Sequence, residues 1–254
     1  MGSVSSWDPR AAGRFPPRLA QSLGAAKLAL VPTKVSPSAQ DYLKALYLET
    51  ENEHRLIGEA VSTNAIAQRL SLSAPSATNM LKKLHEMGLV THVPYQGSAL
   101  TEAGQRVALE LVRHHRLLEA YLVDALGVPW DEVHKEAEIL EHVLSEELEE
   151  RIDAGLGHPT SDPHGQPIPT REGAMPARTE RRLSDLEERE SSTVAWVSDN
   201  LPEVLRYLAV IGIRPGVELR IVGRTPVNGP LAVLVDGRES HSVPQGVAET
   251  VWVS

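Results

Sequence analysis

The chain has 254 residues, 41% of them apolar, no cysteine, and 34 acids against 25 Lys and Arg, for a formal net charge of −9. The missing cysteines exclude disulfides, thiolate catalysis and sulfur-ligated zinc, so any metal chemistry must rest on His, Asp and Glu. No stretch approaches the roughly eighteen uninterrupted apolar residues of a membrane span, and the N-terminus lacks a signal peptide's layout, so a cytoplasmic location with no membrane partner is expected.

The average acidity argues against a chain held to nucleic acid by bulk positive charge, but it hides a local contrast. Residues 54–117 carry seven Lys or Arg against four acids, and residues 119–153 carry two against twelve. The sign changes between neighbouring segments, as if one met an anion and the other a cation.

Residues 1–35 mix Pro, Gly, Ser and Arg without a convincing period and read as a disordered extension. "SPSAQDYLKALYLETE" then offers a Ser cap, Pro just inside a helix start, and an apolar face of Tyr42, Leu43, Leu46 and Tyr47. "STNAIAQRLSLSAPSATNMLKKLHEMGLV" predicts a short helix, a turn and a longer helix that ends at Gly88. "LVTHVPYQGSALT" reads as two short strands with Gly97 at the tip of their turn. Helix, helix-turn-helix and hairpin in that order make a winged helix. A long helix follows from about Thr101 to Gly127, then an acidic helix from about Trp130. "GHPTSDPHGQPIPTREGAMPA" reads as a long ordered loop or linker. Past Thr179 the runs "VELRIVG", "LAVLVDG" and "VAETVWV" alternate with turn residues, and suit a small barrel of SH3 type. The fold class is mainly α with a small β domain.

"HKEAEILEHVL" places two imidazoles among three carboxylates. At about 100° per residue, His134, Glu138, Glu141 and His142 share one arc of a helix. In "HHRLLE" on the preceding helix, His115 and Glu119 stand four apart and are also neighbours. Glu-rich helices ordinarily present a solvated face; two such pairs on consecutive helices point instead to a divalent metal held in a helical bundle.

"SPSAQDYL", "RHHRLLEAYL", "VHKEAEILEHVLS" and "HPTSDPHGQPIP", in this order and spacing, resemble the diphtheria-toxin-repressor family of metal-dependent transcriptional regulators. Residues 179–254 are similar to the SH3-like domain that many members append. The resemblance implies a winged-helix DNA-binding domain over 36–104, a helical metal-binding and dimerisation domain over 105–157, a Pro/Gly-rich linker over 158–178 and the SH3-like domain over 179–254. It implies two metal sites per chain. The primary site would join Asp41 to Glu138, Glu141 and His142; the ancillary site would join His115, Glu119 and His134 to Asp199, with Trp196 standing where a further ligand is expected. Iron-responsive members carry Met and Cys at the first two primary positions, whereas Asp41 and Glu138 are hard carboxylates, as in the manganese-responsive branch. Mn2+ is therefore the expected ion and Fe2+ the alternative. Lys44 replaces a glutamate of the manganese-responsive members that lack an SH3-like domain, which argues against their close binuclear arrangement.

By the same resemblance Ser73, Pro75, Ser76, Thr78 and Asn79 would read base edges of double-stranded operator DNA. Arg55, Arg69, Lys82 and Lys83 are candidate phosphate contacts. A two-fold symmetric operator implies a homodimer, for which Leu111, Leu118, Leu122 and Leu126 offer an apolar face that could equally serve the chain's own core. The expected function is repression of metal-uptake genes when metal is bound, without enzymatic activity. An iron-responsive regulator is the alternative, with a metal-independent winged-helix regulator or a metallohydrolase further off, since no His-Glu-x-x-His motif is present.

Overall fold

The computed structural model describes residues 35–52, 58–176 and 179–254, so the expected N-terminal extension, up to residue 34, and Arg55 lie outside the described residues. The chain forms two compact units, dividing between Leu111 and Val112.

The first unit opens with α1, Pro37–Asn52, which buries Ala39, Tyr42, Leu43, Leu46 and Tyr47 at the three- and four-residue spacing of one helical face. α2, Thr63–Arg69, starts where the Ser62 side chain accepts from the Ala65 N–H, and α3, Ala74–Glu86, starts where Ser73 accepts from Ser76 N–H with Pro75 in the first turn. Both caps satisfy amide donors that a helix start leaves without partners. Ala77, Leu81 and Leu84 bury the inner face of α3. Its end is closed by Gly88 at φ 74° and a bond from Leu89 N–H to Leu84 C=O, the pattern of a left-handed cap.

β1, Val90–Val93, pairs antiparallel with β2, Gly97–Leu100, and Val61 bridges to Ser98 from the other side. The tip of this wing is Tyr95, exposed at φ 65°, and not Gly97 as the sequence reading has it. Gly97 lies within β2 at φ 108°, and a Cβ there would stand 2.3 Å from the Val61 carbonyl oxygen, so close backbone approach demands the glycine.

α4, Glu102–Leu126, carries the chain into the second unit. There α5, Val133–Leu140, and α6, Glu146–Gly155, pack with α4 around Leu117, Leu118, Ala137, Ile152 and Ile168. Of the leucine row on α4, Leu118 and Leu122 are buried within the unit and Leu126 is 61% exposed.

The strands that follow form one antiparallel sheet: β3 Arg181–Arg182, β4 Ser191–Val197, β5 Glu218–Arg224, β6 Leu231–Val235, β7 Glu239–Val243 and β8 Val251–Val253. The spatial order is β3-β8-β4-β5-β6-β7. Register shifts at Val194/Trp196 and Ile221/Gly223 are bulges that bend the strands, as a sheet curling toward a barrel requires. α7, Pro202–Val210, and α8, Gln245–Ala248, complete this domain. Its core of Leu183, Val197, Leu205, Ile213, Ile221, Val233 and Val251 also takes in Trp130 from the loop before α5. Arg214 stacks over the Trp130 ring at 4.5 Å, and His164 stacks on the same indole with ring centres 5.6 Å apart. The sheet domain is thereby anchored to the helical one.

The segment over 158–178, expected as a long ordered loop or a linker, is in its first half an ordered, packed strap. Asp162, His164, Gln166 and Ile168 are buried. Pro-rich backbone brings few N–H donors but keeps its carbonyls, which need partners when buried. α4 supplies them: Arg113 donates to Pro169 C=O at 2.8 Å, and Arg116 donates to Pro167 C=O at 2.6 Å and to the Gln166 side chain at 2.8 Å.

Candidate metal centre

Four side chains from three parts of the second unit converge. His115 and Glu119 come from α4, His134 from α5 and Asp199 from the turn after β4. His115 Nε2 lies 3.0 Å from both Glu119 Oε1 and His134 Nδ1. His134 Nδ1 is 3.3 Å from Glu119 Oε1 and 3.3 Å from Asp199 Oδ2. Adjacent ligands around an octahedral ion with bonds of about 2.1 Å stand about 3.0 Å apart, so these spacings fit a shared divalent ion.

The tautomers agree. His115 Nδ1 donates to Glu141 Oε2 at 2.5 Å, so a neutral His115 turns the Nε2 lone pair into the cluster. His134 Nε2 faces Glu138 Oε1 at 3.5 Å, which leaves Nδ1 for the cluster. A carboxylate behind each imidazole is how metal-ligating histidines are oriented.

Glu119 is fully buried and turns its two oxygens to different partners. Oε1 faces His115 and His134; Oε2 faces His164 Nδ1 at 3.6 Å, and Asp162 joins the same group. Glu119 Oε2, Asp162 Oδ2 and His164 Nδ1 are all buried without a hydrogen-bond partner. The ring is fixed from its far side, because His164 Nε2 donates to the Trp130 carbonyl at 2.7 Å. Neutral His164 therefore aims a lone pair at two carboxylates, an arrangement that needs positive charge, part of which Arg116 Nε supplies 3.9 Å from Asp162 Oδ2. Asp162 is held by its other oxygen, which accepts from the N–H groups of His164 and Gln166 at 2.8 and 3.0 Å.

In the metal-free cluster protons supply the rest of that charge. Burial opposes charge on His134, but hydrogen bonds to Asp199, Glu119 and Glu138 outweigh it and push the imidazole up to about 12. Burial also opposes charge on His164, which Glu119 and Asp162 nonetheless raise to about 9. Burial, then the charge of Glu119, pushes Asp162 up to about 7. Glu119 and Asp199 go the other way: burial is overcome by the neighbouring histidines, and both carboxyls are held well below their usual range.

The sequence reading expected His134, Glu138, Glu141 and His142 on one helical arc. α5 ends at Leu140, and residues 141–143 form a turn before the Ser145 cap of α6, so the arc is broken. Glu138 remains 56% exposed beside His134, while buried Glu141 turns to His115 and lies 3.9 Å from His142 Nε2. Asp41 lies on α1, in the first unit, and is half-buried. Trp196, where a further ligand was expected, is stacked on Trp252 at 4.7 Å. Asp162 and His164 were missed. They meet because the chain turns between them, Gly165 N–H donating to Asp162 C=O at 3.0 Å, and their only signal is the turn chemistry of "DPHG".

On α3, Ser73, Pro75, Ser76, Asn79, Lys82 and Lys83 are exposed, whereas the Thr78 hydroxyl donates back to Ala74 C=O at 2.8 Å. Arg69 is not an open phosphate ligand: its Nε donates to Glu49 at 2.6 Å and the side chain is largely covered.

Three family descriptions match the chain in succession: the N-terminal DNA-binding domain of iron-dependent repressors over residues 34–98, their metal-binding and dimerisation domain over 101–170, and a FeoA domain over 181–254. The iron-dependent repressor IdeR of Mycobacterium tuberculosis is 33% identical over 224 residues, covering 84% of this chain and 94% of that protein. The diphtheria toxin repressor of Corynebacterium efficiens is 33% identical over 215 residues, covering 77% of this chain and 89% of that one. A solved structure of a manganese-dependent transcriptional repressor in complex with manganese is 43% identical, with a TM-score of 0.77 over 85% of this chain and 98% of that chain. With the histidine and carboxylate cluster where a resident ion would be held, these matches along the whole described fold place the chain in the diphtheria-toxin-repressor family of metal-dependent transcriptional repressors.

Proposed function

We propose that this repressor responds to manganese and binds double-stranded operator DNA as a homodimer. The observation that carries the reading is the set of four nitrogen and oxygen donors on His115, Glu119, His134 and Asp199, each 3.0–3.3 Å from a neighbour and all within 4.8 Å of one another. Imidazole and carboxylate ligands without sulfur suit manganese, which sits at the weak end of the divalent series and is selected by ligand type. Ferrous iron is the second reading, favoured by the iron-dependent relative aligned over 94% of its length.

A divalent ion in this centre supplies the positive charge that protons otherwise supply. His115 and His134 would hold it by nitrogen, Glu119 and Asp199 by oxygen, with Asp162 and His164 extending the donor set across Glu119. Glu141 and Glu138 orient the two imidazoles, and His164 ties the strap to Trp130 and to β4, whose Val197 N–H donates to the His164 carbonyl at 2.9 Å. On the strength of the "SPSAQDYL" and "VHKEAEILEHVLS" motifs alone, Asp41, Glu138, Glu141 and His142 are proposed as ligands of the primary site. Ser73, Pro75, Ser76, Thr78 and Asn79 are proposed to read bases, and Lys82 and Lys83 to contact phosphates.

The test is a duplex selected from a random pool in manganese, titrated with the protein in manganese, ferrous iron, zinc or chelator. Affinity should be highest in manganese and fall by at least an order of magnitude in chelator. Equal affinity in all four would end the reading.

A further inference from the structure

Among the described residues of the first unit, two large apolar side chains stand exposed: Tyr95 at the wing tip, and Leu72, at 47%, in the turn between α2 and α3. The Leu72 backbone is fixed on both sides. α2 closes with Ser71 at φ 54°, Ser71 N–H donating to Gln68 C=O at 3.1 Å and Leu72 N–H to Ala67 C=O at 2.8 Å, the paired bonds of a Schellman end. One residue later Ser73 caps α3. The residue after such a left-handed turn commonly packs an apolar side chain back on its helix. That accounts for a leucine here, but not for nearly half of it remaining in water.

The side chain also lines a groove. Leu72, Tyr42 of α1 and Met80 of α3 give it apolar walls, and Ser76, Asn79 and Lys83 of α3 border the same space. Those last three are exposed and stand on the face proposed to meet DNA, so the leucine and that face share one concavity. Ser76 and Asn79 can exchange hydrogen bonds with base edges or phosphates; Leu72 cannot. In the major groove the base pairs present donors, acceptors and one apolar group, the C5 methyl of thymine. Against a purine edge or the cytosine amine, a leucine would strip water from a polar group and return nothing. Against thymine it covers a methyl group.

We propose that Leu72 is a specificity-determining residue that contacts the C5 methyl group of a thymine beside the bases reached by Ser76 and Asn79. The proposal rests on the reading of α3 as the DNA helix, and adds to it a contact that hydrogen bonding cannot supply. Leu72 carries no charge, so the contact contributes to sequence preference and not to the salt-dependent part of affinity.

The experiment selects a duplex from a random pool with the manganese-loaded full chain, then replaces each of its thymines in turn by uracil, which lacks only the C5 methyl. Covering one such carbon corresponds to about four-fold in affinity. At one thymine the wild type should lose about that factor, and Leu72→Met, which stays apolar, should lose it as well. Leu72→Asn, of similar size but polar, should bind thymine and uracil there equally, while its salt dependence and its response to uracil elsewhere match the wild type. If Leu72→Asn lowers the melting temperature, Leu72→Gln serves in its place. A selected duplex without an invariant thymine, or equal sensitivity to uracil in the wild type and the polar variant, would overturn the proposal. Asn79→Ala tests the α3 reading separately. If it weakens binding to the selected duplex while no uracil does, the Leu72 proposal fails and the α3 reading stands; if neither Asn79→Ala nor any uracil changes affinity, both fail.

Discussion

Glu119 is the residue on which the centre turns. A carboxylate with no exposure is costly unless opposite charge meets it on both oxygens, and here one oxygen faces His115 and His134 while the other faces His164. Glu119→Gln keeps the shape and replaces one acceptor oxygen with a donor group that must point at a nitrogen lone pair. Loss of an orienting partner alone typically costs about 10–100-fold in metal affinity, so removal of this central ligand should weaken manganese binding by about 100-fold or more in calorimetry. Unchanged affinity would remove the cluster from consideration. The protons that an ion would displace from the centre make a second prediction at this scale. His134 and His164 are raised to about 12 and about 9, so at pH 7 both are charged and must be discharged when an ion is bound through their nitrogens. Manganese affinity should therefore climb from pH 6.5 to 9, with more than one proton released per chain when calorimetry is repeated in buffers of different ionisation enthalpy. Metal-free stability should run the opposite way. A histidine whose folded value is raised contributes stability that is complete below about 6.5, its unfolded value, and His164 loses that contribution as pH rises through about 9. The melting temperature of the apo chain should drop across that interval while the increment given by manganese grows. An apo melting temperature that rises with pH there would contradict the assigned protonation.

At the scale of elements, the centre depends on a strap without periodic structure. Gly165 has φ 85°, and a Cβ on it would stand 2.2 Å from the Ala195 carbonyl oxygen of β4. Gly165→Ala must move the strap away from the strand as well as bear a left-handed backbone, so a loss of about 2–4 kcal/mol in unfolding free energy is expected. Since His164 precedes it, manganese affinity should fall too; a variant of wild-type melting temperature and affinity would mean that the strap does not lock the sheet domain. This element also marks the limit of what the sequence tells. Ser62, Ser73 and Gly88 announce the helices of the winged domain because capping chemistry is local, and His115 and Glu119 are legible as a pair because helical spacing brings them to one surface, whereas only the family resemblance joins His134 to them. The break after Leu140 is not legible, for the apolar beat of "EILEHVL" runs through it without Gly or Pro. Asp162 and His164 are hidden for a different reason: the arginines that hold their segment, Arg113 and Arg116, lie about 50 residues away, and nothing in a Pro-rich stretch foretells which donors its carbonyls will find.

For the whole molecule, the homodimer proposed above must present the same surface twice. Ile139 is 67% exposed and Val143 77%, and Leu126, at the far end of α4, is 61% exposed; the family match over this region is to a dimerisation domain. Large aliphatic side chains left in water are worth about 1.5–3 kcal/mol each when covered, and in an isologous interface every such residue counts twice. Ile139→Glu with Val143→Glu should therefore convert the dimer to a monomer at micromolar concentration in sedimentation velocity. DNA affinity should drop by about 100-fold or more, because joining two reading heads multiplies affinity by about 100- to 10,000-fold without any new contact. Manganese binding to the ancillary centre provides the decisive control. His115, Glu119, His134 and Asp199 all come from one chain, so a monomer that folds keeps their geometry and should titrate with wild-type affinity. Separation of the two readouts is what the proposal predicts: an ion held by one copy, and an operator by two. If the double variant stays dimeric, these side chains do not form the interface; if it loses manganese and DNA together, the surface serves the fold rather than its pairing.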